Sequence, residues 1–449
     1  MAGCATSASG SEKTQVERVQ AALDVWLAAQ APVEKVTGIA AYISFSAAGP
    51  AIEVFAGKVG RDPHSGPVDQ DTLYQMGSTS KSFTVAVILK LEEAGKLSID
   101  DTLGKWLPEY PAWKDVTIRR LLNMTSGIPN YSETEWMSKA WEKDPMRAFT
   151  LKELADAVYP SATNKLPVTK GYHYSNTNYA LAGMIAEKAT GKSFRDLVHE
   201  MVIEPHGLTS TFYESSTYPP SVIGRLSHGY FENEACADYQ PDCKETWNQP
   251  IIGRDVREMS TSWMQSAGGA VGSARDVDRW MRAVFGGKVV PEKQQKEWTA
   301  LVSMKTGEPI ASVSAEDPGG FALGLGRKIL GPLGAQWFYE GVSLGYRTLY
   351  VWFADEDLMI TVQTNTQPAE GTDKLHDAVS ALYNIVKKPR AGYFGQRRGQ
   401  IRRLVLAFPS RRILTMLRGE RLRTCRVITP WASWPRARLT ASPSSRKMR

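Results

Sequence analysis

Val16, Val19, Leu23, Trp26 and Leu27 recur at helical spacing between residues 12 and 30, which predicts an opening helix. The runs GIAAYISFS and AIEVFAGKVG follow it and meet at Gly49-Pro50, so they read as two strands of a hairpin. A second helix is predicted from Ser78. Phe83, Val87, Ile88 and Leu91 form its apolar stripe, and Gly95 suits a left-handed stop. From about 100 to 300 the patterns are mostly helical between Pro, Gly and Asn breaks. They include Asn176 to Gly191 and a helix capped by Ser273 with Asp276 three residues on. Beyond residue 320 the pattern changes: FALGLGRKIL, AQWFYEGVS, YRTLYVWF and LMITVQTN read as an antiparallel meander, the last two joined by the turn ADED. Leu375, Val379, Leu382 and Val386 then predict a closing helix that Pro389 ends. Helix and strands at both ends with helices between them imply one α/β lobe built from both termini and one inserted helical lobe. The cleft between lobes is the expected place for a site.

Composition narrows the classes. With 449 residues, 42% of them hydrophobic, the chain can bury a large core, and no apolar run reaches the roughly 18 residues of a transmembrane helix. Its charge is uneven. Residues 389–449 hold 16 basic residues and one acid, Glu420, a net +15, whereas the body has 38 basic against 46 acidic residues, a net −8. An acidic body argues against nucleic acid as a partner of the folded domain. The Arg-rich tail reads as a disordered, dispensable appendage, with contact to anionic membranes as its functional alternative. Cys236 and Cys243, seven apart in a polar loop, are placed to close a small disulfide, which hints at an oxidising compartment. No C-x-x-C or neighbouring His accompanies them, so zinc is not expected. Cys4 in MAGCATSAS looks like the end of a bacterial lipoprotein signal without its apolar part. A start codon placed too late would make the chain extracytoplasmic, periplasmic or lipid-anchored; otherwise it reads as cytoplasmic.

The most conspicuous motif is Gly341-Val342-Ser343-Leu344-Gly345, a G-x-S-x-G. A nucleophile elbow needs a helix after the serine, but YRTLYVWF follows, rich in β-branched and aromatic residues. Glycines flanking a strand bend explain the match better. MGSTSKSF offers a second candidate: Ser78 and Lys81 are three apart at a helix start and share one face. A lysine there can take the serine's proton if its setting keeps it neutral. Tyr174 and Asn176, two apart in an extended turn before a helix, point to the same side. The six histidines lack a matching context; His173 and His206 read as structural or surface residues.

Together SxxK, Tyr-Ser-Asn, TIRRLLNMTSGIPNY, STSWMQSAGGAVGSARDVDRWM and FALGLG resemble, in order, the serine β-lactamase and penicillin-binding protein superfamily. The branch is that of class C β-lactamases, DD-carboxypeptidases and related carboxylesterases. The resemblance implies an α+β fold, β-lactamase/transpeptidase-like, with an antiparallel sheet flanked by helices plus an inserted helical lobe. The hydrolase domain would span 12–388, with the α/β lobe at about 12–77 and 268–388 and the helical lobe at about 78–267. It implies metal-free acyl transfer without a cofactor, on a small ester, amide or peptide. Ser78 would attack, Lys81 and Tyr174 would shuttle its proton, Asn176 would bind the acyl side, and Trp263 would wall the cleft. The amides of Ser78 and Val342 would hold the oxyanion.

Where the family has Lys or His, then Thr or Ser, then Gly, this chain has Tyr339-Glu340-Gly341. Tyr339 is similar to the aromatic residue of the related carboxylesterases. Glu340 is expected to repel a substrate carboxylate, by about 1 kcal/mol if solvated. Carboxylesterase is therefore the leading expectation. A D-alanyl-D-alanine carboxypeptidase or β-lactamase comes second, and a non-catalytic penicillin-binding-type protein is the reading of another class. The literal Lys305-Thr306-Gly307 reads as a helix ending.

Overall fold

Thr14 opens the first helix, α1 (Gln15–Glu34), with a capping box: its side chain accepts from the Glu17 amide while Glu17 accepts from the Thr14 amide. In the computed structural model, residues 13–144, 146–161, 169–233 and 251–387 are described; Cys4, the Cys236–Cys243 loop and the basic tail lie outside them. The hairpin β1 (Gly38–Ser44) and β2 (Ala51–Gly57) follows α1. The C-terminal strands are β3 (Leu301–Ser303), β4 (Pro309–Ile310), β5 (Gly319–Phe321), β6 (Gly326–Ile329), β7 (Ala335–Val342), β8 (Arg347–Phe353) and β9 (Leu358–Thr364). All nine form one antiparallel sheet in the order β2-β1-β9-β8-β7-β6-β5-β3-β4. The N-terminal hairpin thus pairs with β9, more than 300 residues along the chain, and the α+β architecture follows.

Alternation along the strands divides the sheet between two cores. On the back face, Ile39, Ala41, Phe338, Leu349, Val351 and Ile360 pack with Val19, Leu23 and Trp26 of α1 and with α5 (Leu375–Val386). On the front face, Ala40, Tyr339, Tyr350 and Met359 join a larger core with the inserted helices. These include α2 (Lys81–Glu93), α3 (Asn176–Thr190) and α4 (Ala274–Phe285). The described residues as far as Val386 form one compact unit.

Two details differ from the sequence reading. The stripe assigned to α2 is too narrow: Val85, Ala86 and Leu89 are buried along with Phe83, Val87, Ile88 and Leu91. A helix buried on nearly every side is a core helix, and each large apolar side chain it buries contributes about 2 kcal/mol. Lys305-Thr306-Gly307 is also not a helix ending. The helix before it stops at Trp298, and β3 and β4 make Lys305–Gly307 a hairpin turn, with Ser303 Oγ accepting from the amides of Lys305 and Thr306.

Candidate active site

Three short strands, Tyr74–Gln75, Ala270–Gly272 and Thr211–Tyr213, pair antiparallel and deliver the chain to the front of the large sheet. Gly77–Ser80 then forms a single 3₁₀ turn before α2. Ser78 therefore stands just ahead of the helix rather than in it, half-buried between the buried Gly77 and Thr79. Lys81, fully buried, is the first residue of α2. Its Nζ lies 3.0 Å from Ser78 Oγ, 2.8 Å from Asn176 Oδ1 and 2.6 Å from the Ala267 carbonyl oxygen. Burial pushes the ammonium well below the usual lysine range. The two latter partners can only accept, so a neutral amine that donates to both directs its lone pair at Ser78 Oγ. That is the geometry of a base for the serine.

Tyr174 closes the cluster from the other side, with its hydroxyl 2.6 Å from Ser78 Oγ. Burial pushes this phenol up to about 12, so it is neutral at pH 7 and able to relay a proton. The Tyr339 hydroxyl is hydrogen-bonded to it, and the Tyr339 ring leans on Phe321, which in turn contacts Tyr172. Asn176 starts α3. Besides holding Lys81, it donates from Nδ2 to Ser132 Oγ at 3.1 Å and from its backbone N–H to Asn130 Oδ1 at 3.0 Å. Asn130 also donates to Glu133 Oε1 at 2.8 Å. Trp263 packs edge-on against Trp141, and its carbonyl accepts from Tyr131.

Strand β7 supplies the remaining wall. Ser343 N–H donates to the Tyr346 carbonyl, so by antiparallel alternation the Val342 N–H points away from β8. Pairing of β6 with β7 ends at Gly326 and Phe338, which leaves this end of β7 facing the Ser78 turn instead of another strand. The approach is close. A Cβ on Gly341 would lie 2.0 Å from the Met76 oxygen and 2.9 Å from Ser78 N, and one on Gly77 would lie 2.8 Å from Val342 N. Gly77 also has φ +51°, a conformation that favours glycine.

Glu340 requires a correction. Tyr339 and Gly341 face the front, so the residue between them faces the back, where its carboxylate meets His376 at 3.3 Å. It cannot repel a substrate in the cleft. Ser343 follows the last residue of β7, with β8 and no helix after it, and its Oγ is buried without a hydrogen-bond partner among the described residues. Ser343→Ala keeps the strand amides and both glycines. Turnover of a soluble ester should therefore fall by no more than about tenfold, or roughly 1.4 kcal/mol on the barrier; steady-state kinetics checks this.

Among the described residues, neither His228 nor His206 is placed as a base for Ser78. His228 binds Asp255 through Nδ1, but its Nε2 meets Arg257 at 3.2 Å and not a serine, and the His206 ring packs on Trp280. A cavity of about 600 Å³ lined by Phe149, Met184 and Gln265 contains none of Ser78, Lys81 or Tyr174. Among the described residues, no group of three His, Cys, Asp or Glu is placed to hold a metal. Sequence reasoning missed the Ala267 carbonyl and the Asn130–Ser132–Glu133 group. A backbone acceptor has no side-chain signature, but SGIPNYSE, which overlaps the end of TIRRLLNMTSGIPNY, could have pointed to the group.

The comparisons with known proteins show the family and the fold. The Beta-lactamase family model matches residues 45–384. "Penicillin-binding protein 4*" of Bacillus subtilis (strain 168) is 28% identical over 246 residues, 54% of this chain and 52% of the relative; the chain thus spans about half the length of the curated relatives it matches most strongly. A D-stereospecific amidohydrolase from Streptomyces sp. shares the fold with TM-score 0.64 and 24% identity, covering 82% of this chain and 98% of that one. The D-amino acid amidase of Ochrobactrum anthropi SV3, complexed with D-phenylalanine, does so with TM-score 0.66 and 21% identity, covering 83% and 98%. With the family model matched over well more than half its length, the chain belongs to the beta-lactamase family.

Proposed function

We propose that the chain is a serine hydrolase that works through an acyl-enzyme on small ester or amide substrates, and is carboxylesterase-like in its choice among them. The observation that carries this reading is the Lys81 amine, desolvated and held by two acceptors with its free position on Ser78 Oγ. Ser78 Oγ attacks the carbonyl carbon as Lys81 takes its proton. The oxyanion is held by the amides of Ser78 and Val342. Tyr174 passes a proton to the leaving alkoxide or amine, and water then attacks the ester with Lys81 and Tyr174 in reversed roles.

The leaving-group side of the cleft carries Tyr339, Phe321 and Tyr172 where the family resemblance would place a cation and a hydroxyl. An aromatic wall favours neutral, apolar groups over a carboxylate. A second reading, an amidase for amino-acid amides, is favoured by Glu133. Its carboxylate accepts from Asn130, which in turn accepts from the Asn176 amide, and so offers a substrate ammonium a negative partner on that side of the cleft; the names of the two amidase neighbours point the same way. D-alanyl-D-alanine carboxypeptidase activity remains the alternative for carboxylated peptides.

The test is a comparison of kcat/KM on a short neutral ester, an amino-acid amide and a D-alanyl-D-alanine peptide. The neutral ester should exceed the peptide by at least about tenfold, the effect of roughly 1.4 kcal/mol. Equal or faster turnover of the peptide would overturn the esterase reading, and the amide ranking first would install the second.

A further inference from the structure

Directly behind the candidate oxyanion strand lies a buried ionic cluster that the chemistry above does not use. Arg347 of β8 is fully buried and paired across the register with Val342. Its guanidinium binds Glu34 of α1, also fully buried, at 2.5 Å, together with Asp373 and the Thr366 carbonyl. Glu34 in turn accepts from the Lys374 amide, and Asp373 from the Leu375 amide, so both carboxylates fix the start of α5. Glu340 of β7 meets His376 of α5 at 3.3 Å, with the Asp373 charge acting on both. Lys328 of β6 is the remaining charge that acts on His376.

We infer that this cluster positions the oxyanion strand: Glu340, clamped by His376, and Arg347, opposite Val342 and held by Glu34 and Asp373, together hold the Val342 amide against the Ser78 turn. The inference rests on the Ser78 reading above. From Tyr339 onward β7 has lost β6 and keeps only β8 beside it, so the aim of its last amides depends on what grips the strand from behind. An oxyanion donor acts only if its distance is held to within about half an ångström.

The grip depends on protonation. Burial works against charge on His376, but the hydrogen bond and charge of Glu340, with that of Asp373, outweigh it and raise the imidazole above its ordinary range. Burial, then the Asp373 charge, raises Glu340. Charged His376 balances the acids. Once pH rises through its raised pKa, Arg347 and the nearby Lys328 remain against Glu34, Asp373 and Glu340. The ion pair is present while Glu340 is ionised and His376 protonated, and it is lost as pH rises through the raised His376 pKa.

The experiment is kcat and KM against pH on a neutral ester for the parent, His376→Gln, Glu340→Ala and Glu340→Gln, with the acyl adduct on Ser78 read by mass in each. The parent should show an alkaline fall in kcat. His376→Gln, a permanently neutral donor, should lack it. Glu340→Ala should lose about ten- to a hundredfold in kcat with KM within about threefold, less than the complete removal of an oxyanion donor, and Glu340→Gln should recover most of that. An alkaline limb unchanged in His376→Gln, or kcat and KM untouched in Glu340→Ala, would overturn the inference. If Glu340→Ala fails to fold, the His376→Gln profile decides alone. Absence of a Ser78 adduct in the parent would instead defeat the reading on which the inference rests, and a normal adduct with an unaltered limb would defeat only the cluster's role.

Discussion

Ser78→Ala should lower the rate on a neutral ester by about 10⁴-fold or more, and a Lys81 substitution added to it should cost little further, because residues that act as one device are not additive. The geometry makes both expectations specific. Ser78 Oγ is shared between the Lys81 amine at 3.0 Å and the Tyr174 hydroxyl at 2.6 Å; without it neither has a proton to move. Lys81→Ala alone should be nearly as damaging. It also removes the donor to Asn176 Oδ1, part-buried, and to Ala267 O, buried, acceptors that the parent satisfies. Single and double variants compared by kcat/KM, with circular dichroism to establish folding, check the pattern. Independent, multiplying losses would mean that the two side chains serve different steps.

Gly341→Ala should be the most damaging change that leaves every proposed reacting side chain in place. Its Cβ would fall 2.0 Å from the Met76 oxygen, 2.8 Å from Thr79 N and 2.9 Å from Ser78 N, all backbone atoms. The strand must move away from the Ser78 turn and carry the Val342 amide with it. Overpacking of this kind costs stability by about 1–3 kcal/mol, while removal of an oxyanion donor costs about 10²–10³ in kcat. The expected result is a modest fall in melting temperature with a loss of about a hundredfold or more in kcat. A variant within about tenfold of the parent would show that the end of β7 takes no part in the chemistry.

What the sequence made readable was local. Ser78 and Lys81 lie one turn apart and Tyr174 and Asn176 two residues apart, so period and spacing alone put each pair on one face. The meeting of the two pairs depends on contacts across about a hundred residues, which only the ordered motifs suggested. Glu340 shows a signal present and misapplied. If Tyr339 and Gly341 face the cleft, period two turns Glu340 away, yet the triplet was read as a unit. The strands Leu301–Ser303, Pro309–Ile310 and Tyr74–Gln75 are two or three residues long and leave no period to detect. The back-face cluster joins Glu34, Glu340, Arg347 and Asp373 from four separate places in the chain, and no local pattern announces such a meeting. The burial of α2 was legible in composition, since Val85, Ala86 and Leu89 exceed what a single apolar stripe needs.

The most direct test of the account is the position of the acyl group. A slowly hydrolysed ester or a fluorophosphonate is trapped on the parent enzyme, and the modified peptide is mapped by mass spectrometry. The account predicts a single adduct on Ser78, absent from Ser78→Ala and retained in Ser343→Ala. An adduct on Ser343 that disappears in Ser343→Ala, with Ser78 unmodified, would contradict it.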